Sequence, residues 1–170
     1  MERISPAGSM AKQHGSLLHG RNNVPLSDRQ QKQVLSLFFG MDAAANVRYE
    51  AASRTVFREI NDHDELNHEL VFGPDIFPGL AVADPNASLG VKCAVAHELA
   101  HKARHDDLTE VNEPELEEID EALTSLSAIL RFHNDLSTHE IRQLVSDATQ
   151  RLQMHVQRRR EIAQDSEGAG

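Results

Sequence analysis

The chain has 170 residues, the length of one domain, which is enough to bury a substantial core. Its formal net charge of −10 opposes a surface that follows a phosphate backbone, so we expect no nucleic-acid partner. A single cysteine, Cys93, excludes an intrachain disulfide and favours a reducing compartment, and no apolar run approaches the length of a membrane span. These features predict a cytoplasmic protein without a membrane partner and leave its oligomeric state open.

The N-terminal part is predicted to contain a polar arm and one helix. Residues 1–25 are polar and lack periodicity, which is typical of a disordered segment. Ser27 and Gln30 have the spacing of a capping box, in which each side chain accepts a hydrogen bond from the backbone amide of the other residue. We therefore predict a helix over 28–39 that ends at Gly40.

The next segment is predicted to hold a helix and two strands. Alanines and spaced apolar residues favour a helix over 43–60. The short apolar runs 70–72 and 80–82 lie among Gly-Pro, Pro-Gly and Asp-Pro pairs, which is the pattern of two short strands.

The C-terminal half is predicted to be helical. Residues 92–104 contain neither Gly nor Pro, and Pro114 suits the first turn of a helix that continues to residue 133. A last helix is expected over 138–160.

The helix that begins near Pro114 carries an apolar stripe with 3-4-3-4 spacing, which is typical of a face turned to the core. The stripe consists of Leu116, Ile119, Leu123, Leu126 and Leu130. We assign the folded part to a single domain, 26–162, followed by a flexible tail, 163–170.

The most informative feature is the pattern HExxH, formed by His97, Glu98 and His101 within the helix predicted over 92–104. Residues four apart lie on one face of a helix, so the two imidazoles can share one zinc ion. Glu98, the residue after His97 on this helix, can reach a water bound to that ion and accept its proton. The spacing predicts a hydrolytic zinc site; the alternative is a core helix whose histidines are only hydrogen-bonded or exposed.

A zinc site needs a third protein ligand, and the acidic start of the following helix is the obvious source. Its acidic residues are Glu113, Glu115, Glu117, Glu118, Asp120 and Glu121. Asp120 flanks the leucine stripe, whereas Glu118 and Glu121 share a face with mostly small side chains that allow close approach to the motif helix. We favour Glu121 or Glu118, and Glu117 and Asp120 stay open.

Two other candidates are disfavoured by geometry. His105 lies about 12 Å from His97 along a straight helix, too far to share one ion. Asp107 falls where metzincins place a ligand, but Arg104 replaces the glycine that makes their turn.

Two segments together resemble the ImmA/IrrE type of small zinc metallopeptidase. Residues 96–105 are similar to the motif helix of that family. Glu121-Ala122, followed by Ile129-Leu130, is similar to the family's downstream Glu-Ala and Leu-Leu segment.

This resemblance implies an α+β, mostly helical, zincin-like domain with an HExxH helix, a short β-sheet and a C-terminal helical part. It implies that His97, His101 and Glu121 bind Zn²⁺ and that Glu98 is the general base. It also implies that the substrate is a protein or peptide, such as a transcriptional regulator, in which one peptide bond is hydrolysed.

Two alternatives belong to other functional classes. A metal-stabilised or degenerate zincin would act as a protein-binding module. A di-iron carboxylate protein would use two Glu-x-x-His pairs, Glu65 with His68 and Glu98 with His101, but the segment between them is rich in Gly and Pro and leaves no intervening helix. Metal content separates a zinc site from a di-iron site and from a helical module in which HExxH is incidental, because these require one zinc, two irons or no metal.

Overall fold

The computed structural model describes residues 20–62, 65–79 and 89–168. In chain order the elements are α1 (Asp28–Met41), β1 (Val47–Tyr49), β2 (Val56–Asp62), β3 (Glu65–Phe72), α2 (Val91–Asp106), α3 (Glu117–Phe132) and α4 (Thr138–Gly168). The fold is α+β and mostly helical, as predicted. No helix in the described part of the chain has the length and apolar character needed to cross a bilayer.

Helix α1 begins where the sequence predicts. The Ser27 side chain accepts a hydrogen bond from the Gln30 amide, and the Gln30 side chain accepts one from the Ser27 amide, which completes the capping box. The same device begins α4, where Ser137 and Glu140 exchange side-chain to backbone bonds of 3.3 and 2.7 Å. Both boxes satisfy amides that a helix start otherwise leaves unpaired.

The helix predicted over 43–60 is wrong, because this segment forms β1 and β2. The three strands lie in the order β1-β3-β2, with β1 parallel and β2 antiparallel to β3. Pairing with β3 supplies backbone hydrogen bonds along this segment, and such tertiary pairing overrides a weak local helix preference. The strand predicted at 70–72 is confirmed as the end of β3, while the one predicted at 80–82 lies outside the described residues.

One face of the sheet packs on the helices. Phe57 lies opposite Leu70 in the register of β2 and β3, and Phe72 contacts Tyr49 and Phe38 with ring centroids 5.3 and 5.9 Å apart. Helix α2 lies against this apolar layer, with Val95, Ala96 and Leu99 among its buried residues. The HExxH helix is therefore the central helix of the core.

The leucine stripe of α3 does not face the core. Leu123, Leu126 and Leu130 are 41%, 39% and 77% exposed, whereas the opposite face, with Ala122 and Ala128, is buried. Helix α3 packs with this small-residue face against both α2 and α4. Small side chains let helix backbones approach closely, and that approach, not the leucine spacing, decides the orientation of α3.

Residues 20–25 of the predicted arm and 163–168 of the predicted tail are among the described residues and have defined contacts or secondary structure. Arg21, inside the predicted arm, is buried and donates hydrogen bonds to the carbonyl oxygens of Ile76 (2.8 Å) and Leu89 (2.9 Å). A Cβ added at Gly79 would lie 1.5 Å from the carbonyl oxygen of Gly20, so this contact requires glycine. Helix α4 continues past 160 to Gly168, through most of the predicted tail.

The outer face of the sheet is held by one acid between two arginines. Glu69 on the middle strand accepts hydrogen bonds from Arg48 Nε (2.8 Å) on β1 and from Arg58 Nε (2.7 Å) on β2. The hydrogen bonds from Arg48 hold the pKa of Glu69 below its ordinary value of 4.5, although burial acts to raise it. One carboxylate thus links all three strands.

We predict that Glu69→Gln lowers the free energy of unfolding by about 1–2 kcal/mol at pH 7, since it removes charge-assisted bonds whose arginine partners are partly exposed. In the native protein this contribution is complete above the ordinary pKa of 4.5 and is lost as pH falls through the lower folded value. Urea denaturation of wild type and Glu69→Gln should therefore show a difference in the free energy of unfolding that is smaller at pH 3.5 than at pH 7. An equal difference at both pH values would contradict this role.

Candidate metal centre

Helix α2 brings the three residues of the HExxH pattern into the interior. His97, Glu98 and His101 are only 1%, 4% and 2% exposed. The two imidazoles lie one helical turn apart, with centroids separated by 4.8 Å and planes at 82°. Both rings thus converge on one point, as the four-residue spacing predicts.

Helix α3 places a single carboxylate between the two rings. Glu121 Oε2 lies 3.1 Å from His97 Nε2, and Glu121 Oε1 lies 3.4 Å from His101 Nε2. One ligand atom from each of the three residues lies within 4.8 Å of the others, and no other such cluster occurs among the described residues. The predicted residues His97, His101 and Glu121 therefore come together in the fold.

Small side chains on both helices make this closeness possible. Ala96 and Ala100 are fully buried on α2, and Ala122, Ser125 and Ala128 are buried on α3. Bulkier groups at these positions would separate the helix axes and pull Glu121 away from the imidazoles.

Two hydroxyl groups of α3 determine which imidazole nitrogens carry hydrogen. Ser125 Oγ donates to the Asp147 carboxylate at 2.5 Å, so at 2.9 Å from His97 Nδ1 it can only accept. Thr124 Oγ1 donates to the carbonyl oxygen of Asp120 at 2.9 Å, and His101 Nδ1 lies 3.4 Å from it. Both rings are thereby assigned a hydrogen on Nδ1.

This assignment leaves the site electron-rich. In a neutral imidazole with hydrogen on Nδ1, the other nitrogen presents a lone pair. In neutral rings of this kind the Nε2 lone pairs of His97 and His101 would face the two oxygens of Glu121 at 3.1 and 3.4 Å, an arrangement that is repulsive unless a proton or a metal ion lies between them. Two imidazole nitrogens and one carboxylate oxygen are the donor set of catalytic zinc sites, in which a fourth position is kept for water or substrate.

The electrostatics of the two glutamates differ strongly. Burial raises the pKa of Glu98 well above its usual range, and the nearby charges of Glu121 and Asp75 add to this. Burial acts in the same direction on Glu121, but positive charge on His101 and Arg151 and hydrogen bonds from His101 and His97, when their Nε2 atoms carry hydrogen, hold its pKa well below the usual range. Glu121 is therefore a stable anion suited to bind a cation, and a cation near Glu98 would favour its ionised form as well.

The other acidic candidates on α3 have different partners. Glu118 accepts a hydrogen bond from Arg158 at 2.6 Å. Asp120 is paired with Arg104 at 2.7 Å and accepts a hydrogen bond from the Val111 amide at 2.7 Å. Their carboxylates are occupied in holding α3 to its neighbours. Of the two glutamates that the sequence left open, the structure places Glu121 and not Glu118 beside the imidazoles.

Residues that the sequence disfavoured as ligands also have other contacts. His105 Nδ1 lies 3.0 Å from Glu110, and the His105 ring packs on Phe57 and His68. Asp107 lies at the end of α2 and pairs with the exposed Arg131.

The di-iron alternative lacks its structural basis. Residues 65 and 68 lie in strand β3 and not on a helix, so they do not form a helical Glu-x-x-His pair.

Sequence reasoning missed four residues that contact the cluster of His97, His101 and Glu121 directly or through another side chain: Thr124, Ser125, Asp147 and Arg151. Asp147 and Arg151 lie one turn apart on α4 and are 3% and 0% exposed. Arg151 Nε donates to Asp147 at 3.0 Å, and its Nη1 lies 3.2 Å from Glu121 Oε2. The Asp-x-x-x-Arg spacing is visible in the sequence, but only burial distinguishes it from an ordinary surface pair.

Comparison with known proteins adds no relative: no family model, curated protein or solved structure matches this chain. The resemblance to ImmA/IrrE peptidases therefore stays a prediction from two short segments. The geometry of the metal centre is consequently the main support for a function of this chain.

We predict that the metal-free protein binds one zinc per chain. Glu121→Gln should weaken zinc binding by about two orders of magnitude or more, which exceeds the 10–100-fold loss typical of residues that only support a ligand. The amide keeps the shape of the side chain but removes the anionic donor. Competition with a chromophoric chelator gives the dissociation constant. Glu118→Gln is the matched control on the same helix and should leave zinc affinity unchanged; a reversed order of the two variants would refute the ligand assignment.

Proposed function

We propose that this protein is a zinc-dependent metallopeptidase that hydrolyses a peptide bond in a protein partner. The observation that carries the proposal is the convergence of His97 Nε2, His101 Nε2 and a Glu121 oxygen within 4.8 Å, beside a fourth residue, Glu98, that binds none of them. A zinc ion held there would polarise a carbonyl group and lower the pKa of a bound water to about 7.

Glu98 is the proposed general base. It follows His97 directly on α2, so its carboxylate lies about 100° round the helix from that ligand and is free for proton transfer. Glu98 is not needed as a third ligand, because Glu121 would take that place. Its task would be to accept a proton from the attacking water and deliver it to the leaving amine.

Arginine side chains balance the buried acids around this centre. Arg151 is paired with Glu121 and Asp147, and the charges of Arg151 and Arg21 both act on Glu98. Buried charges are costly unless they are paired, so these arginines allow several carboxylates to lie together in the interior. A buried, charged environment of this kind strengthens each electrostatic interaction within it.

The substrate class is proposed from the site chemistry and from the resemblance to ImmA/IrrE peptidases. A peptide carbonyl is a substrate that a zinc-bound water with a carboxylate base can attack. We propose a protein partner such as a transcriptional regulator, consistent with a chain of net charge −10 that disfavours nucleic acid as a substrate.

A metal-stabilised protein-binding module is the second candidate. It is favoured by the burial of the site, since Glu98 is 4% exposed and a catalytic base must meet its substrate. The two candidates agree on zinc binding and differ only in turnover.

We predict that Glu98→Gln keeps zinc and fold but lowers peptide hydrolysis by about 10²–10⁴-fold, because it removes the proton acceptor and no ligand. Cleavage is detected by mass spectrometry in two kinds of substrate. One is a mixed peptide library, and the other is the set of proteins encoded beside the gene, which are co-expressed with the chain. Glu117→Gln, an exposed change on α3, is the control and should behave as wild type.

Undiminished cleavage by Glu98→Gln would remove this residue from the mechanism. Full zinc occupancy without cleavage of any library peptide or co-expressed protein would favour the binding module instead.

A further inference from the structure

Helix α4 supplies no atom to the cluster of ligands, yet its buried residues lie directly behind it. Asp147 and Arg151 occupy adjacent turns of α4, and both are almost completely buried. Asp147 touches the site through Ser125, and Arg151 touches it through Glu121. Helix α4 therefore contacts Glu121 directly and His97 through Ser125.

We propose that Asp147 is a positioning residue that fixes the tautomer of His97 through Ser125, and so commits His97 Nε2 to the metal. The inference rests on the proposed metal site. The chain of contacts is Arg151 Nε to Asp147 Oδ2 at 3.0 Å, Ser125 Oγ to the same oxygen at 2.5 Å, and His97 Nδ1 to Ser125 Oγ at 2.9 Å.

The direction of each hydrogen bond is set by the chemistry of its members. Arg151 can only donate, and an ionised Asp147 can only accept. The hydroxyl hydrogen of Ser125 is consequently used by Asp147, which leaves the Ser125 lone pairs to receive a hydrogen from His97 Nδ1. With hydrogen on Nδ1, the Nε2 lone pair of the neutral ring is available as a ligand.

Without Asp147, Ser125 would not select one tautomer of His97. A free hydroxyl donates as readily as it accepts, so it would tolerate the other tautomer, in which hydrogen on Nε2 blocks coordination. The carboxylate on α4 therefore converts an ambivalent group into a fixed acceptor. Groups that orient a metal-bound histidine in this way commonly change metal affinity 10–100-fold when they are removed, roughly the range expected for this site.

The alternative view is that the network only stabilises packing between α3 and α4. Those two helices are the most extensively packed helix pair, and Asp147 also pairs with Arg151, so a purely structural role predicts loss of stability without a specific effect on His97. The two views differ in what happens to the imidazole ring, which can be observed directly.

The test uses the full chain in four variants with two readouts besides activity. Ser125→Ala removes the acceptor for His97, and Ser127→Ala is its control, since that hydroxyl contacts only the side chain of Arg131 on the same helix. Asp147→Leu removes the carboxylate, and Asp147→Asn keeps an acceptor oxygen and should rescue. The readouts are zinc affinity by chelator competition and the His97 tautomer by long-range ¹⁵N–¹H NMR of the metal-free protein at pH 8.

We expect hydrogen on Nδ1 of His97 in wild type, Ser127→Ala and Asp147→Asn, together with similar zinc affinity. Ser125→Ala and Asp147→Leu should show a mixture of tautomers and zinc binding weakened about 10–100-fold. If Asp147→Leu does not fold, Ser125→Ala decides alone, because it removes a single atom from the interior.

A wild-type His97 ring with hydrogen on Nε2 and none on Nδ1, or a Ser125→Ala protein with unchanged tautomer and zinc affinity, would overturn the proposal. The tautomer is measured without metal or substrate, so these outcomes are independent of whether wild type hydrolyses peptides. A wild-type protein that shows the expected tautomer and zinc affinity but no hydrolysis would refute the peptidase and leave the positioning role supported.

Discussion

The centre of this protein depends on one close contact between two helices. Alanines on α2 and small residues on α3 bring the backbones near enough for Glu121 to lie between His97 and His101, at 3.1 and 3.4 Å from their Nε2 atoms. Larger side chains would fill the interface with apolar contacts and exclude the carboxylate. The fold thus gives up hydrophobic packing at its middle in exchange for a polar site, which natural proteins accept where function requires it.

Placing several charges in the interior is possible only because each is paired. Glu121 and Asp147 share Arg151, and Asp120 is joined to Arg104. An isolated buried charge costs several kcal/mol, about as much as a domain's whole stability margin, so loss of one partner would affect the rest of the network. These pairs come from α2, α3 and α4, and they make the three helices a single electrostatic unit.

The rest of the fold supports α2. The sheet covers one side of this helix through Phe57, Leu70 and Phe72, and Arg21 ties the segment before α1 to the carbonyl oxygen of Leu89, two residues before α2 begins. Burial lowers the pKa of Arg21 to about 10, so it stays charged at neutral pH and its hydrogen bonds persist. Helix α2 is consequently held near its N-terminus by Arg21, along one side by the sheet, and by α3 on the side that carries His97 and His101.

Local signals in the sequence determined the elements that depend on short-range chemistry. The capping box at Ser27 defined the start of α1, and the HExxH spacing placed His97 and His101 on one face of a continuous helix. These predictions succeeded because a helix cap and a four-residue spacing involve only neighbouring residues. The start and type of α3 and α4 were predicted from similar signals.

Tertiary structure decided the remainder. Residues 47–49 and 56–62 form strands because β3 lies beside them, and α3 turns its leucines outward because its small face fits between α2 and α4. The same rotation selects Glu121 over Glu118 as the partner of the histidines, a difference of three residues that helix periodicity alone leaves open. Asp147 and Arg151 became part of the site only through burial, because no property of an Asp-x-x-x-Arg pair in a sequence reveals which surface of its helix another helix will cover.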